Sequence, residues 1–281
     1  MALPFSTISR QRLTGLASAS LLLWLAHPAV HAEGVEPDYS VSYNIGVLSD
    51  YRVRGIAQTS FKPALQGGVD FAHKSGFYAG VFGSNVKWVK EFNGATQGSA
   101  EVDLYGGYRG ATDDLPLTYD VGLITYQYPG NNSGVGGVLP AGTFANANTV
   151  EVYAAATYKI YTLKVNRSTG NFLGNLNSSG SSYLDLSASF DLGNGFALTP
   201  HVGYQRVPNQ NNTNTITGQV KTGNAANYTD YSVTLAKDLG NGLTLSGALM
   251  GTNAKKGGFY TDLNNKFIAD SALVVGLKYA F

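Results

Sequence analysis

No cysteine occurs among the 281 residues, so disulfides, thiolate nucleophiles and thiolate metal ligands are excluded. Charge is scarce as well: Asp, Glu, Lys and Arg make up 13% of the chain and leave a net charge of +1. That is about half the roughly 25% usual in soluble domains, and with neither sign in excess nothing points to nucleic acid. The longest apolar run, 16–26, falls short of the ~20 residues a spanning helix needs. No phosphate-binding loop or dinucleotide fingerprint is present, so neither a nucleotide nor any other cofactor is expected. Of the four histidines only His73 and His201 lie beyond residue 32, and neither sits in a nucleophile motif such as G-x-S-x-G.

Glycine (35) and tyrosine (18) are abundant instead, and the mean hydropathy of −0.07 is what results when lipid-facing and water-facing residues alternate and cancel. Arg10 and Arg12, the apolar run and the small residues Val30-His31-Ala32 read as a secretory signal over 1–32 with cleavage near Ala32. The rest, 33–281, reads as one domain. Helical period is almost absent from it, and strand-like alternation recurs about twelve times. Val41, Tyr43, Ile45 and Val47 alternate with Ser40, Ser42 and Asn44. Leu184, Leu186, Ala188 and Phe190 oppose Asp185, Ser187, Ser189 and Asp191. The third stretch, 77–88, is apolar on both faces and has no readable orientation.

Connections alternate between short and long. Short ones fall at 74–76, 110–116, 159–161, 193–195 and 240–242, where Asn and Gly supply the positive φ of tight hairpins. Long ones rich in Asn, Gly, Ser and Thr fall at 54–62, 89–98, 129–147, 169–180, 208–226 and 252–269. The hairpins at 191–198 and 238–245 are near copies. Short turns at one rim and long loops at the other predict an all-β, transmembrane, antiparallel up-and-down barrel of about 12 strands, with periplasmic turns and extracellular loops. Tyr39, Tyr51, Tyr108, Tyr126, Tyr128, Tyr158, Tyr161, Tyr204, Tyr231 and Tyr279, near strand ends, are placed at the lipid headgroup level.

In the final strand, Ser271, Leu273, Val275, Leu277, Tyr279 and Phe281 share one face, with Val274 out of pattern on the other. Val274, Gly276, Tyr279 and Phe281 look like the terminal signal by which outer-membrane barrels are inserted, so the assembly machinery and outer-membrane lipid are the expected partners. Ser49 to Thr59, Lys62 to Asp70, Ser75 to Gly80 and Gly83 to Val86 resemble the TorF family of porin-like Gram-negative outer-membrane proteins of uncharacterised function. Glu101 to Tyr108, Tyr119 to Gly122, Tyr126 to Gly130, Glu151 to Tyr153 and His201 to Tyr204 are similar too. Ala57 and Phe82 depart mildly from the pattern, which has Ser and Trp there. The resemblance implies a barrel and a pore and names no solute.

If the apolar face is outside, the lumen receives Asp50, Arg52, Arg54, Asp70, Glu101, Asp103, Arg109, Asp120, Glu151, Lys164, Asp185, Asp191, His201, Asp230 and Lys278. Two readings stay open: a water-filled channel with a charged wall passing small hydrophilic solutes, or a salt-bridge network filling a narrow barrel. Arg52 and Arg54 either bind an anion at the mouth or tie down acidic wall residues, the second being favoured. Glu101 and Asp103, two apart on one face, could chelate a hard cation, though paired acids are ordinary on a pore wall and no metal site is expected. The loop 129–147 is the candidate inward-folded constriction. The alternatives are an adhesin or receptor acting through the long loops, with the barrel as anchor, and a less favoured outer-membrane hydrolase using His201; an enzyme is not expected.

Overall fold

A computed structural model describes residues 37–213, 220–221 and 223–281, without the side chains of 212, 213, 220 and 221; the signal expected over 1–32 lies outside them. The wall strands are β1 (Tyr39–Leu48), β2 (Ala64–His73), β3 (Phe77–Asn85), β4 (Ala100–Ala111), β5 (Leu117–Gln127) and β6 (Thr149–Tyr158). They continue as β7 (Tyr161–Ser168), β8 (Ser182–Ala188, resumed at Phe190–Gly193), β9 (Phe196–Arg206), β10 (Tyr228–Gly240), β11 (Leu243–Thr252) and β12 (Ala272–Ala280). Because both segments of β8 pair with β9, the ladder is a meander of 12 antiparallel strands. It closes where β1 pairs with β12, from Asn44 opposite Ala280 to Leu48 opposite Gly276. Among the described residues the helix content is one turn, α1 (Trp88–Glu91).

Closure reaches the last residue. The Phe281 amide donates to the Tyr43 carbonyl and the Tyr43 amide to the Phe281 carbonyl, both at 2.9 Å. The Phe281 ring stacks on Tyr43 and Tyr279. A closed ladder has no free edge, so every wall strand satisfies its backbone polar groups within the sheet.

The alternation sorts side chains as their chemistry requires. Leu65, Val81, Leu104, Val121, Val152, Leu163, Leu184, Val202, Val233, Leu249 and Leu273 all face outward and are exposed, up to 65% for Leu249. In the last strand Leu273, Val275, Leu277, Tyr279 and Phe281 face out while Val274 is buried inside. No second protein layer covers this belt among the described residues, and a contiguous apolar surface of this extent is foreign to water-soluble monomers. Strands of about ten residues at about 3.3 Å each, tilted by about 40°, match the ~25 Å apolar band of a membrane barrel. Toward the short turns the outer face turns aromatic, with Tyr39 on Phe71 and Phe77 on Tyr108.

Three of the ten tyrosines expected at the headgroup level are elsewhere: Tyr51, Tyr126 and Tyr128 are buried inside. The cause is register. Tyr126 shares the inward face of β5 with Asp120, and Tyr51 and Tyr128 lie just past strand ends where the loops turn in. Asp191, expected in the lumen, stands exposed at the short-turn end of β8, opposite Ala197 of β9, where its Oδ1 accepts the Gly193 amide at 2.8 Å. Asp238 does the same for Gly240 in the β10–β11 turn, so the near-copied sequences fold as near-copied hairpins. In both, Asn and Gly occupy positive φ, with Asn194 at 51° and Asn241 at 50°.

Candidate functional site in the barrel lumen

The lumen has two differently built ends. Toward the long loops it is occupied. The connection between β1 and β2 turns inward and forms a small hairpin, Arg52–Val53 against Ile56–Ala57, with Arg54 and Gly55 at its tip. The tip touches the wall two and three strands round from β1, since a Cβ on Gly55 would strike the side chains of Thr252 on β11 and Asp230 on β10. The expected constriction, 129–147, does not take this place: it stays at the rim with Val135 and Val138 well exposed. The first loop can enter because it is long enough to fold back, charged, and turned by a two-residue hairpin.

Arg54 crosses the bore. Its Nη2 donates to Glu151 Oε2 at 2.6 Å and its Nη1 to Glu151 Oε1 at 3.1 Å and to Gln205 Oε1 at 2.7 Å. Glu151 is on β6, five strands round a ring of twelve from β1, which is nearly the opposite wall. Burial is the largest single influence and disfavours the Arg54 charge, but the Glu151 carboxylate together with Tyr126 and Tyr183 outweighs it and raises the guanidinium pKa above its ordinary value. At Asp50 the balance is reversed: loss of solvent lifts the carboxyl above its usual range although Arg52 Nε lies 2.7 Å away. Arg52 also donates to the Gly55 and Asp270 carbonyls, bracing the hairpin.

Around this hairpin the loops pack apolar side chains. Trp88 and Val89 of α1 lie with Tyr51, Val86, Tyr128 and Ala147; Ile56 and Ala57 lie with Tyr228, Ile268 and Ala269; Phe172 lies with Val207 and Ala226. Beneath them Glu101 accepts the Tyr51 hydroxyl at 2.6 Å and the Tyr128 hydroxyl at 2.7 Å. Asp103, two residues on, has no hydrogen-bond donor for either carboxylate oxygen among the described residues. His201, on β9, sits 2.6 Å from Asp185 and 3.6 Å from Asp230, with the Tyr183 hydroxyl 3.0 Å away. His73 faces Ser75 in an exposed turn.

Toward the short turns the inward residues are only partly covered. Arg109 Nε lies 3.0 Å from Asp120 Oδ2 and its guanidinium 4.0 Å over the Tyr78 ring. The Tyr78 hydroxyl donates to Asp120 Oδ1 at 2.6 Å and the Tyr105 hydroxyl to Asp70. Lys164, itself buried in mid-wall, lies over Tyr153, and Lys278 points inward from β12. Tyrosines lie against wall glycines at both ends: toward the short turns a Cβ on Gly80 would strike Tyr105, and toward the long loops one on Gly203 would strike the buried Tyr183. Glycine at those points keeps each ring against the wall.

Of the expected lumen residues, the structure thus gathers Arg54 with Glu151, Asp50 with Arg52, Arg109 with Asp120, and Asp185 and Asp230 with His201. Sequence reasoning missed Gln205, Tyr183, Phe172 and Asn166, which surround the Arg54 pair. Counting by twos from Asp185 and His201 reaches Tyr183 and Gln205; Phe172 comes from a loop and carries no such signal.

The family model described as a bacterial protein of unknown function (Gcw_chp) matches residues 31–281. The chain belongs to the Gcw_chp family. That description assigns no activity and does not carry the TorF name, and no curated protein matches the sequence. Solved structures similar to this Gcw_chp protein include a KdgM porin, with TM-score 0.49 and 6% identity over 86% of this chain and 98% of that one. A NanC porin gives TM-score 0.46 and 10% identity over 85% of this chain and 99% of that one. Acinetobacter baumannii OccAB4 gives TM-score 0.38 and 10% identity over 85% and 62%. Likenesses this distant carry no inference about function.

Proposed function

We propose that this Gcw_chp protein is an outer-membrane barrel that passes small hydrophilic solutes by passive diffusion, and that the conformation described here is closed at the long-loop end by the first loop. The observation that carries the reading is the content of the bore. A barrel serving only as an anchor could be filled with apolar side chains, whereas this interior holds ionised groups from many strands, which are costly to bury unless paired or wet. The outward apolar belt supports insertion in lipid, and the TorF resemblance of the sequence motifs agrees with it. Val274, Gly276, Tyr279 and Phe281 then serve as the signal read by the assembly machinery, and Asp70, Arg109, Asp120 and Lys278 line the open part of the route, with the buried Lys164 deeper in the bore. Conductance in planar bilayers tests this. The wild-type chain is expected to show low, intermittent current, and a variant in which Gly-Ser replaces the hairpin 52–57 a larger and steadier one. Silence from both, in folded and inserted protein, would rule the channel out.

A further inference from the structure

The most complete binding arrangement in the lumen surrounds the Arg54 guanidinium. Glu151 meets its edge with both carboxylate oxygens, and the Gln205 side-chain carbonyl accepts from Nη1 as well. The Tyr183 ring centroid lies 4.4 Å from the guanidinium carbon and the Phe172 centroid 5.3 Å from it. Asn166 Nδ2 donates to Glu151 Oε2 at 3.2 Å, and the Tyr126 hydroxyl approaches the same oxygen at 3.4 Å, so the carboxylate is held in orientation. A bidentate carboxylate, a neutral acceptor and aromatic rings are what a planar cation with several N–H donors requires, and an ammonium does not exploit the same fork.

Each of those partners comes from the wall or from another loop; Arg54 comes from a hairpin that enters from the mouth. Its backbone φ of 51°, followed by Gly55 at 79°, is a left-handed conformation that a non-glycine residue holds only under constraint. The hairpin is anchored at both ends to β1 and β2, so Arg54 is presented to Glu151 as a tethered group, at an effective concentration in the millimolar range.

We propose that Glu151, Gln205, Tyr183 and Phe172 form a binding site for guanidinium-bearing solutes, which Arg54 fills as an internal stand-in until such a solute displaces it. The passage of that solute rests on the channel reading; the site itself does not. Opening would withdraw the Arg54 charge and leave Glu151 facing the bore near Glu101 and Asp230, a wall suited to a cation.

Calorimetry on the full chain in detergent tests the site, with agmatine as the guanidinium probe and cadaverine as its ammonium counterpart. Arg54→Ala is expected to bind agmatine at least tenfold more tightly than wild type does, and at least tenfold more tightly than it binds cadaverine. Adding Glu151→Gln should abolish that preference. Should Arg54→Ala refold poorly, agmatine present during refolding is expected to raise the folded yield where cadaverine does not. Arg54→Lys, which keeps a cation in place, provides a second background, again binding agmatine more tightly than wild type. Equal affinity of wild type and both variants for agmatine, or no discrimination between the two amines, would overturn the site. Bilayer current separates the two readings. Current through Arg54→Ala without agmatine binding removes the site and leaves the channel; agmatine binding without current removes the channel and leaves the site.

Discussion

Toward the long loops, Glu101, Glu151 and Asp230 are sealed from solvent and held by partners reaching in from loops and neighbouring strands. Toward the short turns, Asp70, Asp120, Arg109 and Lys278 use the same chemistry in a half-open vestibule. The wall does not cause the difference, because its alternation is the same at both ends. The cause is the connections: short turns cannot reach into the bore, whereas a connection of more than ten residues can fold back and supply counter-charges. Identical inward carboxylates thus become structural pairs at one end and water-facing groups at the other.

The contrast is sharpest in the ion pairs. Arg54→Ala or Glu151→Ala leaves an uncompensated buried charge and should cost about 3–5 kcal/mol. Replacing both by Met and Leu should cost much less than either single change. Arg109→Met, in a pair whose arginine side chain is 33% exposed, should cost at most about 1 kcal/mol. Urea unfolding of the four variants in detergent gives the comparison, and equal losses at Arg54 and Arg109 would erase the distinction between the two ends.

Glycine probes the same contrast on a smaller scale. Gly203→Ala pushes Tyr183 off the wall and away from the Arg54 guanidinium, and should cost about 2 kcal/mol. Gly80→Ala displaces Tyr105 from Asp70 where both side chains are only half-buried, and should cost about 1 kcal/mol. Thermal unfolding followed by the shift of the folded band on unheated gels ranks them.

Most of the wall was legible in the sequence, because a period of two with one face in lipid leaves no freedom of register. Leu273, Val275 and Leu277 follow from alternation alone, and the twin Asp-x-Gly-Asn-Gly turns follow from the need for positive φ. The filling of the bore was only half legible. Arg54 was readable as a charge beside a loop, but its destination on Glu151 depends on how far that loop folds inward, which no local pattern encodes. Tyr126 was misassigned for a different reason: its position near a strand end suggested the headgroup region, while counting from Asp120 places it inside. The loop 129–147 was the longer and more glycine-rich choice for a constriction, yet what enters is the loop whose cationic tip finds a buried carboxylate.

Three smaller effects follow. Asp103→Asn removes a buried ionisable carboxyl whose oxygens lack donors among the described residues, and should stabilise the barrel by about 1 kcal/mol. The same change at Asp120, which holds Tyr78 and Arg109, should destabilise it. Asn241→Ala places a poorer residue at φ 50° in an exposed turn and should cost about 1 kcal/mol, equally with or without the first-loop hairpin.

Thiol labelling tests the central claim most directly, since the chain has no cysteine of its own. Ser42, inward on β1 near the short turns, and Ser168, buried at the long-loop end of β7, are replaced by Cys one at a time in lipid vesicles. A water-soluble thiol reagent is then applied to both faces. Ser42→Cys should react at the rate of an accessible thiol and Ser168→Cys on the order of a hundredfold more slowly, with the gap narrowing sharply once Arg54→Ala is added. Equal labelling of both positions in the otherwise unaltered protein would contradict a lumen closed by its first loop.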